Sequence, residues 1–144
     1  MKTSQNGLAF IMANEGMRVR RYRDQAGLWT IGVGHLIRPG EVFQEPLTRE
    51  QCLSLLASDV RGAEAAVSRL ITRPLSQNQF DALVDFTFNV GDGALQHSTL
   101  RLVVNRGDFA DVPSELRKWC RARGRVVSDL LKRRLLEAHL FQCH

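Results

Sequence analysis

The sequence has no apolar run long enough for a membrane span, which needs about 20 residues; its N-terminal apolar stretch, Leu8 to Ala13, is broken by Asn14 and Glu15. That stretch is also too short and too early charged for a signal peptide, so any target outside the cytoplasm would need a separate delivery route. Cysteine is scarce. Cys52, Cys120 and Cys143 are odd in number, widely spaced and outside any CxxC or Cys/His pattern, which argues against a disulfide framework and against zinc and favours synthesis in a reducing compartment. Internal repeats, low-complexity tracts and metal-ligand motifs are absent too, so the expectation is no bound metal and no cofactor.

What is present is ordinary for a soluble globular chain: 144 residues, 44% hydrophobic and 24% charged. This length fits one compact domain, or two small lobes sharing a helix. Twenty Lys and Arg against 15 Asp and Glu leave a net charge of +5. That excess points to an anionic partner, which leaves nucleic acid, an acidic polymer and an anionic membrane face open.

Along the chain, Ser4 to Glu15 reads as a short amphipathic helix stopped by Gly16. Met17–Arg23, the turn "DQAG" and "LWTIGVG" read as a small hairpin. A capping box at Thr48 and Gln51 opens an apolar helical spacing that lasts to Ile71, a helix of about 24 residues and about 36 Å that would connect two parts of the molecule. Ser76 and Gln79 form a second capping box before "NQFDALVDFTFNV", closed by Gly91. Ser98 is expected to cap "TLRLVVN", Asp108 to begin a short helical piece, and Ser128 to open the last helix.

One acid sits oddly. Leu8, Ile11 and Met12 mark an apolar stripe whose next position, i+7, is Glu15. Asp24 lies in the turn with eight residues between it and Glu15, and five residues separate Asp24 from Thr30 on the second strand. If the hairpin folds back on the helix, all three face one cleft. Glu15 on the stripe would be partly desolvated, which favours its protonated form, while Asp24 on a wet turn stays ionised. Two carboxylates in contrasting environments suit the splitting of a glycosidic bond. Alone, Glu15 could equally be a helix-end acid paired with Arg18, Arg20 or Arg21, and Asp24 a plain turn residue.

The whole string "EGMRVRRYRDQAGLWTIGVGH" resembles the signature of the phage-type lysozymes, endolysin muramidases with the pattern E-G-x-R-x-x-x-Y-x-D-x-x-G-x-x-T-I-G-x-G-H. Each fixed position is filled, from Glu15, Gly16 and Tyr22 to Asp24, Gly27, Thr30, Ile31, Gly32, Gly34 and His35. "LTREQCLSLLASDV", "FDALVDFTFNVG", "STLRLVVNRGDF" and "KWCRARGRVVSDLLKRRLLEAHLF" resemble later parts of the same family, so the likeness covers nearly the whole chain. One departure is "MRVRRYR", whose four arginines make the segment before Asp24 more basic than is usual in the family and would attract the acidic peptide stems of a wall.

The resemblance implies a mainly α, α+β, two-lobed lysozyme-like fold: a small β-containing lobe at about 16–48, a connecting helix at about 49–72, and a helical lobe at about 73–144 joined by the N-terminal helix 4–15. It implies hydrolysis of the β-1,4 bond between N-acetylmuramic acid and N-acetylglucosamine in peptidoglycan, by inversion. Glu15 would be the general acid, Asp24 the second carboxylate and Thr30 the hydroxyl that positions the water. Gly32 and Gly34 would let the backbone approach the sugar, and Leu36, Phe88 and Thr99 match positions lining the groove. His35 is expected to make a structural hydrogen bond near the site. The protein would act as a monomer that accumulates in the host cytoplasm and reaches the wall through a separate membrane-permeabilising protein, a holin.

Arg117 to Arg134 holds eight Lys or Arg and one acid, Asp129, around Trp119. By itself this would suggest a basic helical nucleic-acid face. That reading leaves Glu15, Asp24 and Thr30 unexplained, as does a wall-binding homologue without turnover.

Overall fold

The computed structural model describes residues 1–143. Its elements run α1 (Gln5–Glu15), β1 (Arg18–Arg23), β2 (Trp29–Gly32), β3 (His35–Leu36), α2 (Arg49–Asp59), α3 (Arg61–Leu70), α4 (Gln77–Val90), α5 (Asp92–Gln96), α6 (Thr99–Arg106), a 3-10 turn (Phe109–Asp111), α7 (Val112–Arg117), β4 (Arg121–Ala122), β5 (Arg125–Val126) and α8 (Ser128–Gln142). The architecture is mainly helical, with two small antiparallel sheets. Two compact units emerge, Leu8–Arg61 and Met1–Gly7 together with Gly62 onward, so the chain passes between them inside α1 and again after Arg61.

In the unit Leu8–Arg61 the strands form one antiparallel sheet in the order β1-β2-β3, against which α2 packs. Ile31, Val33, Cys52, Leu56 and Ile11 are buried. The expected hairpin is therefore part of a three-stranded sheet. Gly32 and Gly34, at φ 69° and 70°, turn the chain back after β2 into β3, a conformation that costs a residue with a Cβ about 1–2 kcal/mol. At the end of α1, Gly16 takes φ 85° and donates its N–H to the Met12 carbonyl at 2.8 Å, which is how this helix stops at Glu15.

The single connecting helix expected over 49–72 is instead two helices. Thr48 caps α2 with the full capping box, but Val60 takes ψ −4° and directs its N–H to the carbonyls of Leu56 and Ser58. With Gly62 following, the helical ladder has its weakest formers at this place. Val60 is nonetheless fully buried, so the apolar spacing continues across the break and conceals it.

In the other unit α4 is the centre: Gln79 to Thr87 are all buried, and α8 and α5 pack on it. The Ser76/Gln79 capping box starts α4. Ser98 caps α6 by accepting the N–H of Arg101 at 3.0 Å, and Gly107 closes that helix in the left-handed conformation. Edge-to-face pairs Phe86–Trp119 (5.6 Å) and Phe109–Phe141 (5.3 Å) fill the remaining core. Thr3 donates from both its N–H and hydroxyl to the Glu64 carboxylate at 2.6 Å, and Ser4 bonds Asp81, which ties the first residues to α3 and α4. Asp108 and Ser128 make no side-chain cap; Ser128 is simply the first residue of α8, after Val127.

The sequence "WCRARGRVVS" had given no strand signal, yet it forms the β4–β5 hairpin, Ala122 facing Arg125 across the turn. Both central residues, Arg123 (φ 53°) and Gly124 (φ 79°), are left-handed, the conformation whose twist suits a two-residue hairpin loop. Arg121, Arg123 and Arg125 are exposed there.

The basic stretch also divides. Arg133 and Arg134 are buried rather than displayed. Arg133 grips Asp85 with both ends of its fork, Nη2 to Oδ1 at 2.8 Å and Nε to Oδ2 at 3.0 Å. Arg134 donates to Asn89 at 2.8 Å and to Glu137 at 2.9 Å and lies 5.1 Å from the Phe86 ring centroid. Burial and the neighbouring Asp85 carboxylate push Glu137 well above the usual carboxylate range, against the pull of Arg134 and Arg133.

Candidate active site

Sheet register brings together part of the predicted site. Thr30 stands opposite Tyr22 on β1 and opposite Leu36 on β3, so the three side chains form one cross-strand row on one face. Thr30 is buried, Tyr22 half-buried and Leu36 49% exposed. In the sequence Tyr22 is a position of the signature; its place beside Thr30 depends on the pairing register, which sequence spacing does not give. Arg18, opposite Gly32 in the register, reaches the Tyr22 ring with its guanidinium 4.4 Å from the centroid.

Asp24 and Thr30 are joined through the backbone of Leu28. The Leu28 N–H and the Ala26 N–H both donate to Asp24 Oδ1 at 2.9 Å, while the Leu28 carbonyl accepts the Asp24 N–H at 2.9 Å and the Thr30 hydroxyl at 3.0 Å. Three consequences follow for chemistry. Oδ1 is committed to the turn, which fixes the carboxylate plane. Among the described residues Oδ2 accepts no hydrogen bond. The Thr30 hydroxyl has spent its proton on Leu28, so its oxygen can only accept. Asp24 Oδ2 and Thr30 Oγ1 therefore both remain as acceptors. Arg23 steadies the same turn by donating to the Gly27 carbonyl at 3.1 Å.

Glu15 is the last residue of α1, as expected, but it is exposed. Leu8 and Ile11 on its stripe are buried and Met12 is half-buried, so the stripe fades before i+7 and the expected desolvation of Glu15 is not provided by its own helix.

Gly32 is buried, and a Cβ there would meet Leu55 at 3.5 Å and Cys52 at 3.9 Å, ordinary contacts with α2, so it is the φ of 69° that calls for glycine. Gly34 is exposed with open space around it. Phe88 is half-buried in α4, and Thr99 is the exposed first residue of α6; both belong to the other unit.

His35 is 5% exposed and has a carboxylate on each nitrogen: Nδ1 lies 2.8 Å from Asp59 Oδ2 and Nε2 3.0 Å from Glu41 Oε1. Both nitrogens can donate at once only in the imidazolium form. Burial opposes that charge, but the bonds to Glu41 and Asp59 outweigh it and hold the pKa above the ordinary 6.5. Glu41 is correspondingly lowered from 4.5, first by the Arg38 backbone N–H and then by His35.

Residues 12–137 match the phage lysozyme family, a span that contains every residue of this arrangement. The chain belongs to that family. It is 36% identical over 148 residues to an endolysin of Acyrthosiphon pisum secondary endosymbiont phage 1, with 99% of each covered. An endolysin of Salmonella phage P22 is 35% identical, with 98% of each covered. Among solved structures, a P22 lysozyme mutant superposes with TM-score 0.90 at 33% identity, and a muramidase domain from Asticaccaulis excentricus with TM-score 0.86 at 33%, each covering 99% of both chains. Two endolysins of Bacillus phages are longer, so that this chain spans 54% and 55% of their lengths. For a phage lysozyme family member, the Asp24–Leu28–Thr30 network is where the signature Asp and Thr become one structural unit.

Proposed function

We propose that this chain is an endolysin, a peptidoglycan hydrolase that cleaves the β-1,4 bond between N-acetylmuramic acid and N-acetylglucosamine. The observation that carries the residue roles is the hydrogen-bond network that leaves Asp24 Oδ2 on the turn and Thr30 Oγ1 on β2 as two acceptors tied to the same Leu28 backbone. In this reading Glu15 donates its proton to the glycosidic oxygen as the bond to the anomeric carbon breaks. A water held by Asp24 and Thr30 gives its proton to Asp24 and attacks from the opposite face, so the product anomer is inverted and the two carboxyl groups stand about 6.5–9.5 Å apart. The exposed position of Glu15 assigns the exclusion of water around it to the bound glycan. Leu36 and Tyr22 flank Thr30 as groove residues, with Gly34 as a further contact, and His35 holds the sheet to Asp59 and the Glu41 loop.

Among the described residues no helix is long and apolar enough to cross a membrane. Cytoplasmic accumulation followed by holin-dependent release as a monomer is the delivery route in this reading. Nucleic acid is a poor partner: Arg133 and Arg134 are buried in ion pairs, and Trp119 is packed edge-on against Phe86 instead of presenting its face for stacking.

The test is Glu15→Gln, which keeps the shape but has no proton to deliver. Release of new reducing ends from purified peptidoglycan should fall by about 10²–10⁴ with the thermal midpoint retained. Near-wild-type release would remove Glu15 from the role of general acid. Expressed in the cytoplasm, the wild-type chain should lyse cells only once the inner membrane is permeabilised; lysis without that step would overturn the release route.

A further inference from the structure

Arg18, Arg20, Arg21 and Arg23 are all exposed on β1. Among the described residues one acid is ion-paired with them, Glu45, 3.0 Å from Arg21. Trp29, the cross-strand partner of Arg23, is 43% exposed, with the Arg23 guanidinium 4.4 Å and the Arg21 guanidinium 5.9 Å from its ring centroid. Leu28, the residue before it, is 52% exposed. The other exposed basic element, the β4–β5 hairpin, has arginines but no open aromatic side chain, since its neighbour Trp119 is packed on Phe86. The two surfaces thus differ in kind.

We propose that the Arg21–Arg23–Trp29 face of this sheet, with the exposed Arg20 beside Arg21, is a peripheral docking surface for an anionic lipid bilayer. An acidic peptide would be served by the arginines alone, and a neutral glycan would stack on the indole without needing a cluster of cations beside it; an indole kept at the surface between guanidinium groups, beside an open leucine, matches the headgroup level of a membrane, where the indole is amphipathic and the cations meet lipid phosphates. Each arginine near such a leaflet strengthens binding about fivefold. Two apolar side chains are too few for deep insertion, so the attachment is shallow and reversed by salt. This contact is separate from glycan cleavage.

The experiment is co-sedimentation with vesicles of phosphatidylglycerol and phosphatidylethanolamine, against vesicles of phosphatidylcholine alone. Wild-type protein should bind the first and not the second. Arg20→Glu/Arg21→Gln should weaken binding at least tenfold and Trp29→Ser severalfold, while clearing of isolated peptidoglycan by the arginine variant changes less than twofold. Arg121→Glu/Arg125→Gln, with the same charge change on the hairpin, should keep most of the vesicle binding. In a Trp119→Phe background the Trp29 emission should shift to the blue on the anionic vesicles alone. Equal binding to both vesicle types, no binding to either, or an equal loss in the hairpin variant would overturn the proposal. So would intact vesicle binding with lost wall clearing in the arginine variant, which would assign the face to the wall peptides. Arg21→Gln alone, expected to lose about fivefold, gives the same discrimination should the double variant be unstable.

Discussion

Replacing Asp59 by Asn tests the charge state of His35 without changing shape. In the wild type the buried ring lies between Asp59 and Glu41, and its pKa is raised above 6.5. A raised histidine contributes stability that is fully present below its unfolded value and is lost as pH rises through the folded value. Glu41 is lowered from 4.5, so its contribution is present above that value and is lost as pH falls through the folded one. Both are in place between pH 4.5 and 6.5. Within that window Asp59→Asn exchanges a charge-assisted hydrogen bond between two largely buried groups for a neutral acceptor, costing about 1.5–3 kcal/mol. For a chain of this size that corresponds to a fall in Tm of about 3–12 °C. Thermal unfolding of both proteins by circular dichroism from about pH 5 to about pH 9 should show the difference largest at the acid end and shrinking as His35 loses its proton. A gap that is constant with pH, or that widens toward alkaline pH, would refute the imidazolium between two carboxylates.

Asp85→Ala leaves the buried Arg133 fork without its bidentate partner and should cost about 3–5 kcal/mol in urea unfolding, with a loss below about 1 kcal/mol refuting the pairing. Gly107→Ala sets a Cβ 2.7 Å from the Arg73 guanidinium at φ 80° and should destabilise by more than about 1 kcal/mol; an unchanged midpoint would mean that Arg73 swings away and the backbone is unstrained. Fresh product from a defined glycan, read by proton NMR before mutarotation, should carry the inverted anomer; a retained or 1,6-anhydro end would exclude direct water attack. Reversing two of Arg117, Arg121, Arg123 and Arg125 should make wall lysis more sensitive to salt and leave cleavage of a short soluble oligomer nearly unchanged, because surface attraction is screened beyond about 8 Å at physiological salt; equal loss on both substrates would place those arginines at the reaction itself.

Local signals decided much of this protein. Capping boxes at Thr48/Gln51 and Ser76/Gln79, the stop at Gly16 and the buried run from Phe80 to Thr87 follow from hydrogen bonds and periodicities that act within a few residues, and each is present in the fold. The Glu15, Asp24 and Thr30 spacing was likewise legible, because a signature is a local string. Other features were settled by tertiary structure. The break at Val60 is invisible to periodicity because the residue at the break is itself core. The third strand and the β4–β5 hairpin are two residues long each, too short for any alternation to register. Arg133 and Arg134 read as surface charge until Asp85, Asn89 and Glu137, distant in sequence or one helical turn away, provide the partners that allow burial. Tyr22 and Leu36 reach Thr30 only through strand register, and Asp24 is tied to Thr30 only when the turn closes on the Leu28 backbone. Composition fixes which groups are available; which of them lose water, and which acceptors stay open, is set by pairings that form between separate segments of the folded chain.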